Sequence, residues 1–153
     1  MVTRSQVLGH QRRVPVNTDS RIVVEYENEP RRRQVEKVNL AEKLAQFDEH
    51  WSPKIVAELN DAYVKVVKLE GEFVWHHHDD EDELFLVVSG RLRMQLREGE
   101  VVLEPGELLV VPKGIEHCPL AEGETHVVLV EPKTVLNTGN VRNERTVEQP
   151  ERL

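Results

Sequence analysis

Between Lys54 and Pro132 the chain is cut into short apolar runs by turn residues about every 8 to 12 positions, and this punctuation limits the fold more than any other feature. "KIVAEL" stops at Asn60-Asp61, "AYVKVVKL" at Glu70-Gly71, "ELFLVV" at Ser89-Gly90 and "RLRMQL" at Arg97-Glu98-Gly99-Glu100. "VVLE" stops at Pro105-Gly106, "ELLVVP" at Lys113-Gly114, and "HVVLVE" precedes Pro132. Such runs predict an all-β sandwich or barrel rather than βαβ units. In "RLRMQL", Leu92, Met94 and Leu96 share one face, and Arg91, Arg93, Gln95 and Arg97 share the other. "ELLVV" and "HVVLV" are apolar on both faces, which predicts burial on both sides. One side would be the interior, and the other would meet a second subunit or a docked helix.

The flanks read differently. Residues 1–36 are expected to be an N-terminal extension, partly irregular, with an edge strand in "RIVVEY" (Arg21–Tyr26). A helix is predicted over 39–51: Asn39 is its N-cap, Glu42 stands three residues on as in a capping box, and Leu40, Leu44, Phe47 and Trp51 form an apolar stripe. Ser52-Pro53 ends it, because the residue before proline disfavours helix. The helix leads a domain over 37–133. Residues 134–153 form a polar tail that either hugs the surface or frays.

Composition removes several functions. A net charge of −8 argues against nucleic acid as a general partner, since phosphate contacts need clustered Lys and Arg. Residues 1–33 do carry seven Arg against four acids, and we read Arg31–Arg33 as a solvated basic stretch. No apolar run approaches the ~18 residues of a membrane span. The start of the sequence lacks the apolar core of a secretory signal, and the single cysteine, Cys118, fits a reducing compartment, so a cytoplasmic location is expected.

The chemistry concentrates in "GEFVWHHHDDEDELFLVVSG", Gly71 to Gly90. On an extended chain His76 and His78 point together while His77 points opposite, so the pair offers two convergent imidazole lone pairs to a metal. Glu83 lies five residues past His78, on the wrong face of an unbroken strand. A turn through Asp79-Asp80-Glu81-Asp82 would return it beside the histidines, with Phe85 and Val87 on its inward face and the turn acids facing solvent. A second segment, "GELLVVPKGIEHCPLA" (Gly106 to Ala121), carries a turn glycine, a strand, Pro112-Lys113-Gly114 and then His117.

Together the two segments resemble the paired motifs of the cupin superfamily, and among its members the small single-domain bacterial cupins described as mannose-6-phosphate-isomerase-like. The first motif is matched by Gly71, His76, His78, Glu83 and Gly90, and the second by Gly106, Pro112, Gly114 and His117. Two positions depart: Gly71 is one residue closer to the first histidine than usual, and Ala121 stands where the motif has Asn. The motifs span 51 residues, a third of the chain. The resemblance implies a double-stranded β-helix, a jelly-roll barrel, in which His76, His78, Glu83 and His117 converge as metal ligands. Three imidazoles and a carboxylate suit one divalent transition ion among Mn, Fe, Ni, Co, Cu or Zn better than Ca or Mg.

Two functions remain open at this point: a metal-dependent enzyme of isomerase, lyase or dioxygenase type acting on a small polar or chelating molecule, and a non-catalytic module that binds or senses such a ligand. No catalytic residue beyond the metal set is identified, and no second carboxylate or Lys stands out as a general base. Outward arginines in "RLRMQL" disfavour a sugar phosphate, so a carboxylate, diketone or phenolic ligand is expected. A homodimer through sheet faces is expected, with no membrane partner. His77 is read as surface or interface, His50, His126 and His10 as structural or exposed, Cys118 as a buried inert thiol, and Trp75 as packing between sheets or subunits.

Overall fold

From Lys54 onward the alternating pattern becomes seven antiparallel strands in the computed structural model, which describes residues 12–13, 21–25 and 33–153. The chain divides into two units at Val38/Asn39. In the first, β1 (Arg12–Arg13), β2 (Arg21–Glu25) and β3 (Arg33–Glu36) pair antiparallel in the order β1-β2-β3. The strand expected at an edge, β2, is therefore the central one. Tyr26, Arg31 and Arg32 lie outside the described residues.

The second unit, Asn39–Leu153, opens with α1 (Leu40–Leu44). Asn39 caps it as predicted: its Oδ1 accepts from the Ala41 and Glu42 amides, and its Nδ2 donates to Glu42 Oε1 at 3.0 Å. The predicted helix over 39–51 is corrected to these five residues. Its periodicity was sound as a burial pattern, since Leu44 and Phe47 are buried, but strand pairing takes the backbone first. The Trp51 amide donates to Lys68 O at 2.9 Å, with His50 bridged to Lys68, and Trp51 adopts φ +59, where a right-handed helix cannot continue.

The strands are β4 (Lys54–Leu59), β5 (Ala62–Glu72), β6 (Glu83–Ser89), β7 (Leu92–Leu96), β8 (Gly99–Leu103), β9 (Leu108–Val111) and β10 (His117–Pro132). They join in the order β4-β5-β10-β6-β9, with β7 bridging β10 and β8. β10 organises the sheet. Its first half pairs with β7, its second half pairs with β5 on one side and β6 on the other, and a bulge between Ala121 and Thr125 separates the halves. The sheet thereby wraps around one core that includes Val67, Leu69, Phe85, Val87, Leu92, Met94, Leu103 and Val127, giving the antiparallel jelly roll expected.

Burial on both faces holds for "HVVLV", where Val127, Val128 and Leu129 are all buried, but not for "ELLVV". Val111 points inward, whereas Leu108 and Val110 are exposed. The physical reason is where the helix goes: α1 packs against β5, with the Lys68 ammonium over the Phe47 ring, and leaves the outer face of β9 bare. Residues 134–153 hug the barrel; Leu153 N donates to Ile55 O, and Ile55 N donates to Glu151 O.

One turn shows how tightly the wrap is specified. Gly90, between β6 and β7, has φ +80, and a Cβ there would sit 2.6 Å from Thr125 Oγ1 and 2.7 Å from Glu124 O. Gly90→Ala adds left-handed strain to a collision with backbone that cannot move aside. We expect it to lower unfolding free energy by about 2 kcal/mol or more in urea titration. A loss below a few tenths would mean that the turn is not a fixed point of the wrap.

Candidate metal centre

His76, His77 and His78 follow β5 without forming a regular strand, yet each is pinned through its backbone. His76 exchanges two hydrogen bonds with His117, N to O at 3.1 Å and O to N at 2.9 Å, so the two motifs meet in a single antiparallel bridge. The Gly114 amide donates to His78 O at 2.7 Å. Alternation therefore survives outside the ladder: His76 and His78 are buried, and His77 is turned out, its Nε2 3.1 Å from Asp79 Oδ1. Asp79, Asp80 and Asp82 are exposed in the turn, which delivers Glu83 to the first position of β6, where it is buried.

The four predicted residues come together. His76, His78, Glu83 and His117 each place one donor atom so that all lie within 4.8 Å of one another. Nδ1 of His76 lies 2.9 Å from Val74 O, and Nδ1 of His117 lies 2.9 Å from Ile115 O. A carbonyl only accepts, so both Nδ1 atoms carry the proton and both Nε2 atoms hold free lone pairs. Glu83 Oε2 is 3.2 Å from His78 Nε2 and 3.6 Å from His117 Nε2, without hydrogen-bond geometry.

Electrostatics agree with a cation-ready set. Burial pushes the His76 imidazole down to about 4, so it stays neutral at neutral pH. Burial alone would raise the Glu83 carboxyl, and only positive charge beside it, from a protonated imidazole at His117 or His78 or from a bound cation, holds it down as an anion. His78 Nε2, Glu83 Oε2 and His117 Nε2 are all buried with no partner. Three converging buried donors without hydrogen-bond partners, each costing about 1–3 kcal/mol, are atoms that a cation would satisfy. The donor set could hold a metal ion, and its nitrogen-rich make-up fits a first-row transition ion.

Beside these donors, Trp51, Phe73, Phe85, Leu69 and Leu129 line a narrow apolar cavity with about 30 Å³ of free space, which His76 and Glu83 also face. Trp51 and Phe73 stack at 4.6 Å. The arginines of β7 and its turn point away, paired with Glu104, Glu122 and Glu116. Trp75 lies under the Arg97 guanidinium, 4.0 Å from it and outside the cavity. Cys118 is buried near Glu72, and burial lifts its thiol to about 11, so it is inert at neutral pH. His50 and His126 both approach Glu124, and His10 lies outside the described residues.

Two features escaped the sequence reading. Lys65 and Glu131, a buried ion pair at 2.5 Å, occupy inward positions of β5 and β10, at the parity of Val67 and Leu129. The sequence reading singled out neither residue, although their parity within "AYVKVVKL" and "HVVLVE" was an available signal. The second is the segment after β10: Asn137 lines the cavity, and Asn140 hydrogen-bonds the backbone of His77.

The sequence model of the family described as "Cupin domain" matches residues 63–133. A crystal structure of a cupin-2 domain containing protein from Shewanella frigidimarina is 46% identical, covers 63% of this chain and 94% of its own, and superposes with a TM-score of 0.62. Protein NMB1881 from Neisseria meningitidis is 32% identical over 64% of this chain and 100% of its own, with a TM-score of 0.59. The uncharacterized protein YdbB of Bacillus subtilis is 41% identical over 63 residues, so the chain spans 56% of that relative's length.

Proposed function

The chain belongs to the cupin family, and from that premise we propose that it is a metal-binding cupin whose ion, held by His76, His78, Glu83 and His117, acts on a small chelating molecule. The observation that carries this reading is the trio of buried, unpartnered donor atoms beside the apolar cavity. When bound, a divalent Mn, Fe, Ni, Co, Cu or Zn ion would supply Lewis acidity at a carbonyl or hydroxyl oxygen. The chain's own residues do the rest. Val74 O and Ile115 O fix the imidazole tautomers, Glu83 balances charge, and the Trp51-Phe73 stack and Phe85 exclude water.

The apolar lining and outward arginines favour a carboxylate, diketone or phenolic ligand over a sugar phosphate. The small free space favours a ligand of few atoms, and isomerase, lyase or dioxygenase chemistry is compatible with it. Exposed Leu108 and Val110 on β9 are compatible with a second subunit. Among the described residues no helix is long and apolar enough to cross a membrane. The test is elemental analysis of protein purified without an affinity tag, followed by titration with small acids and diketones. Near-stoichiometric transition metal and a ligand-induced change in its spectrum are expected. A chain that neither retains such a metal nor takes one up when supplied refutes the reading.

A further inference from the structure

We propose that Asn140, presented by the loop 137–147, is a positioning residue that sets the angle between the His76 and His78 imidazoles; the proposal rests on the metal reading above. His77 sits between the two ligands outside any ladder, so its peptide groups need partners from elsewhere. One residue supplies both. Asn140 N donates to His77 O at 3.0 Å, and His77 N donates to Asn140 Oδ1 at 3.0 Å. Asn140 thus imitates the neighbouring strand that this stretch lacks. Because His76 and His78 flank the clamped peptide, any rotation there swings both Cβ atoms and spreads the pair of Nε2 donors.

The loop is built to hold that position. Thr138 is fully buried, its Oγ1 donating to Val141 O at 2.7 Å and lying 2.8 Å from Thr146 Oγ1. Asn137 Nδ2 donates to Arg145 O, and its Oδ1 accepts from Val147 N, each at 2.8 Å. Gly139 adopts φ +52 and presses against the ligand segment: a Cβ there would lie 2.2 Å from His77 O and 3.1 Å from His76 Cδ2. The far end of the segment is tied down separately, through Glu151 on Lys54 at 3.0 Å. A cross-braced loop, a side chain bonded on both sides of one peptide, and a glycine required by the approach together make a second support for the ligands.

The experiment is titration calorimetry with Co(II) on the full chain, with the visible Co(II) absorption bands recorded. Asn140→Ala is expected to weaken Co(II) binding by about 10- to 100-fold and to alter the bands. Asn140→Asp, which keeps the acceptor for His77 N, is expected to restore both. Glu151→Ala, which loosens the segment away from His77, is expected to behave as wild type. Should Asn140→Ala fail to fold, Asn140→Ser carries the test, since it keeps a polar side chain in the loop but one too short to hold the His77 amide as Oδ1 does; weaker binding is expected. Wild-type affinity and bands in Asn140→Ala or Asn140→Ser, or an equal loss in Glu151→Ala, would overturn the positioning role alone. Wild-type protein that takes up no Co(II) would remove the metal reading, and this inference with it.

Discussion

Alanine at His76 or at Glu83 is expected to weaken metal binding by at least about 100-fold while leaving the barrel folded. Partners one shell out already change metal affinity by about 10- to 100-fold, so loss of a donor itself should exceed that range. The barrel should survive because its packing lies elsewhere: Val67, Val87, Leu92, Met94 and Val127 form the core without these side chains. Without metal, His78 Nε2, Glu83 Oε2 and His117 Nε2 are buried and unpartnered, and deleting Glu83 removes one of those liabilities. Metal should therefore raise the melting temperature of the wild type, by preferential binding to the folded state, and should not raise that of either variant. Elemental analysis and thermal scans with and without Co(II) read both effects. Undiminished metal in the two variants would mean that the ion sits on other residues.

The site was legible because its grammar is local. His-x-His parity, a turn of known length before Glu83, and the glycine and proline positions before His117 each restrict the backbone within a few residues. The structure then sets the donors within 4.8 Å of one another, as such local constraints require once β6 and β10 pair. What failed was non-local. The stripe Leu40, Leu44, Phe47, Trp51 fits a helix and equally fits a short helix followed by a strand edge; the free edge of β5 beyond Val66 decided between them, and it lies in another segment. "HCPLA" concealed the first half of β10, because Pro119 argues against a strand interior. It is accommodated where β10 changes partners. The string "LNTGN" reads as turn residues, but only its docking on His77 gives it a role.

Lys65 and Glu131 make the other large prediction, because breaking a buried ion pair costs far more than replacing it. Glu131→Leu strands an ammonium that is 1% exposed and should cost about 3–5 kcal/mol. Lys65→Met leaves a carboxyl that is 1% exposed and should cost as much only where that carboxyl is ionised, since its protonated form needs no counter-charge. The double variant should lie near the wild type or above it, since two apolar side chains of similar size need no partner. The two singles should also differ with pH. Burial, reinforced by the Glu83 carboxylate, already pushes Glu131 up to about 8 against the pull of Lys65. A carboxyl raised in the folded state adds stability below its unfolded value, near 4.5, and loses it as pH rises through the folded value. Removing Lys65 takes away the main group pulling it down, so Lys65→Met should be closest to wild type near pH 5 and weakest near pH 8. Glu131→Leu should lack this pH-dependent loss, because no carboxyl remains at position 131 to ionise. Urea titrations of the four proteins at both pH values measure the coupling. Additive costs would mean that the 2.5 Å contact is not a working ion pair. The antiparallel register Val130↔Leu84 puts Glu131 across from Glu83 on the next rung, so Co(II) affinity in the double variant asks something further. If stability rises while that affinity falls, the pair is kept for the charge it presents to the ligand carboxylate rather than for the fold.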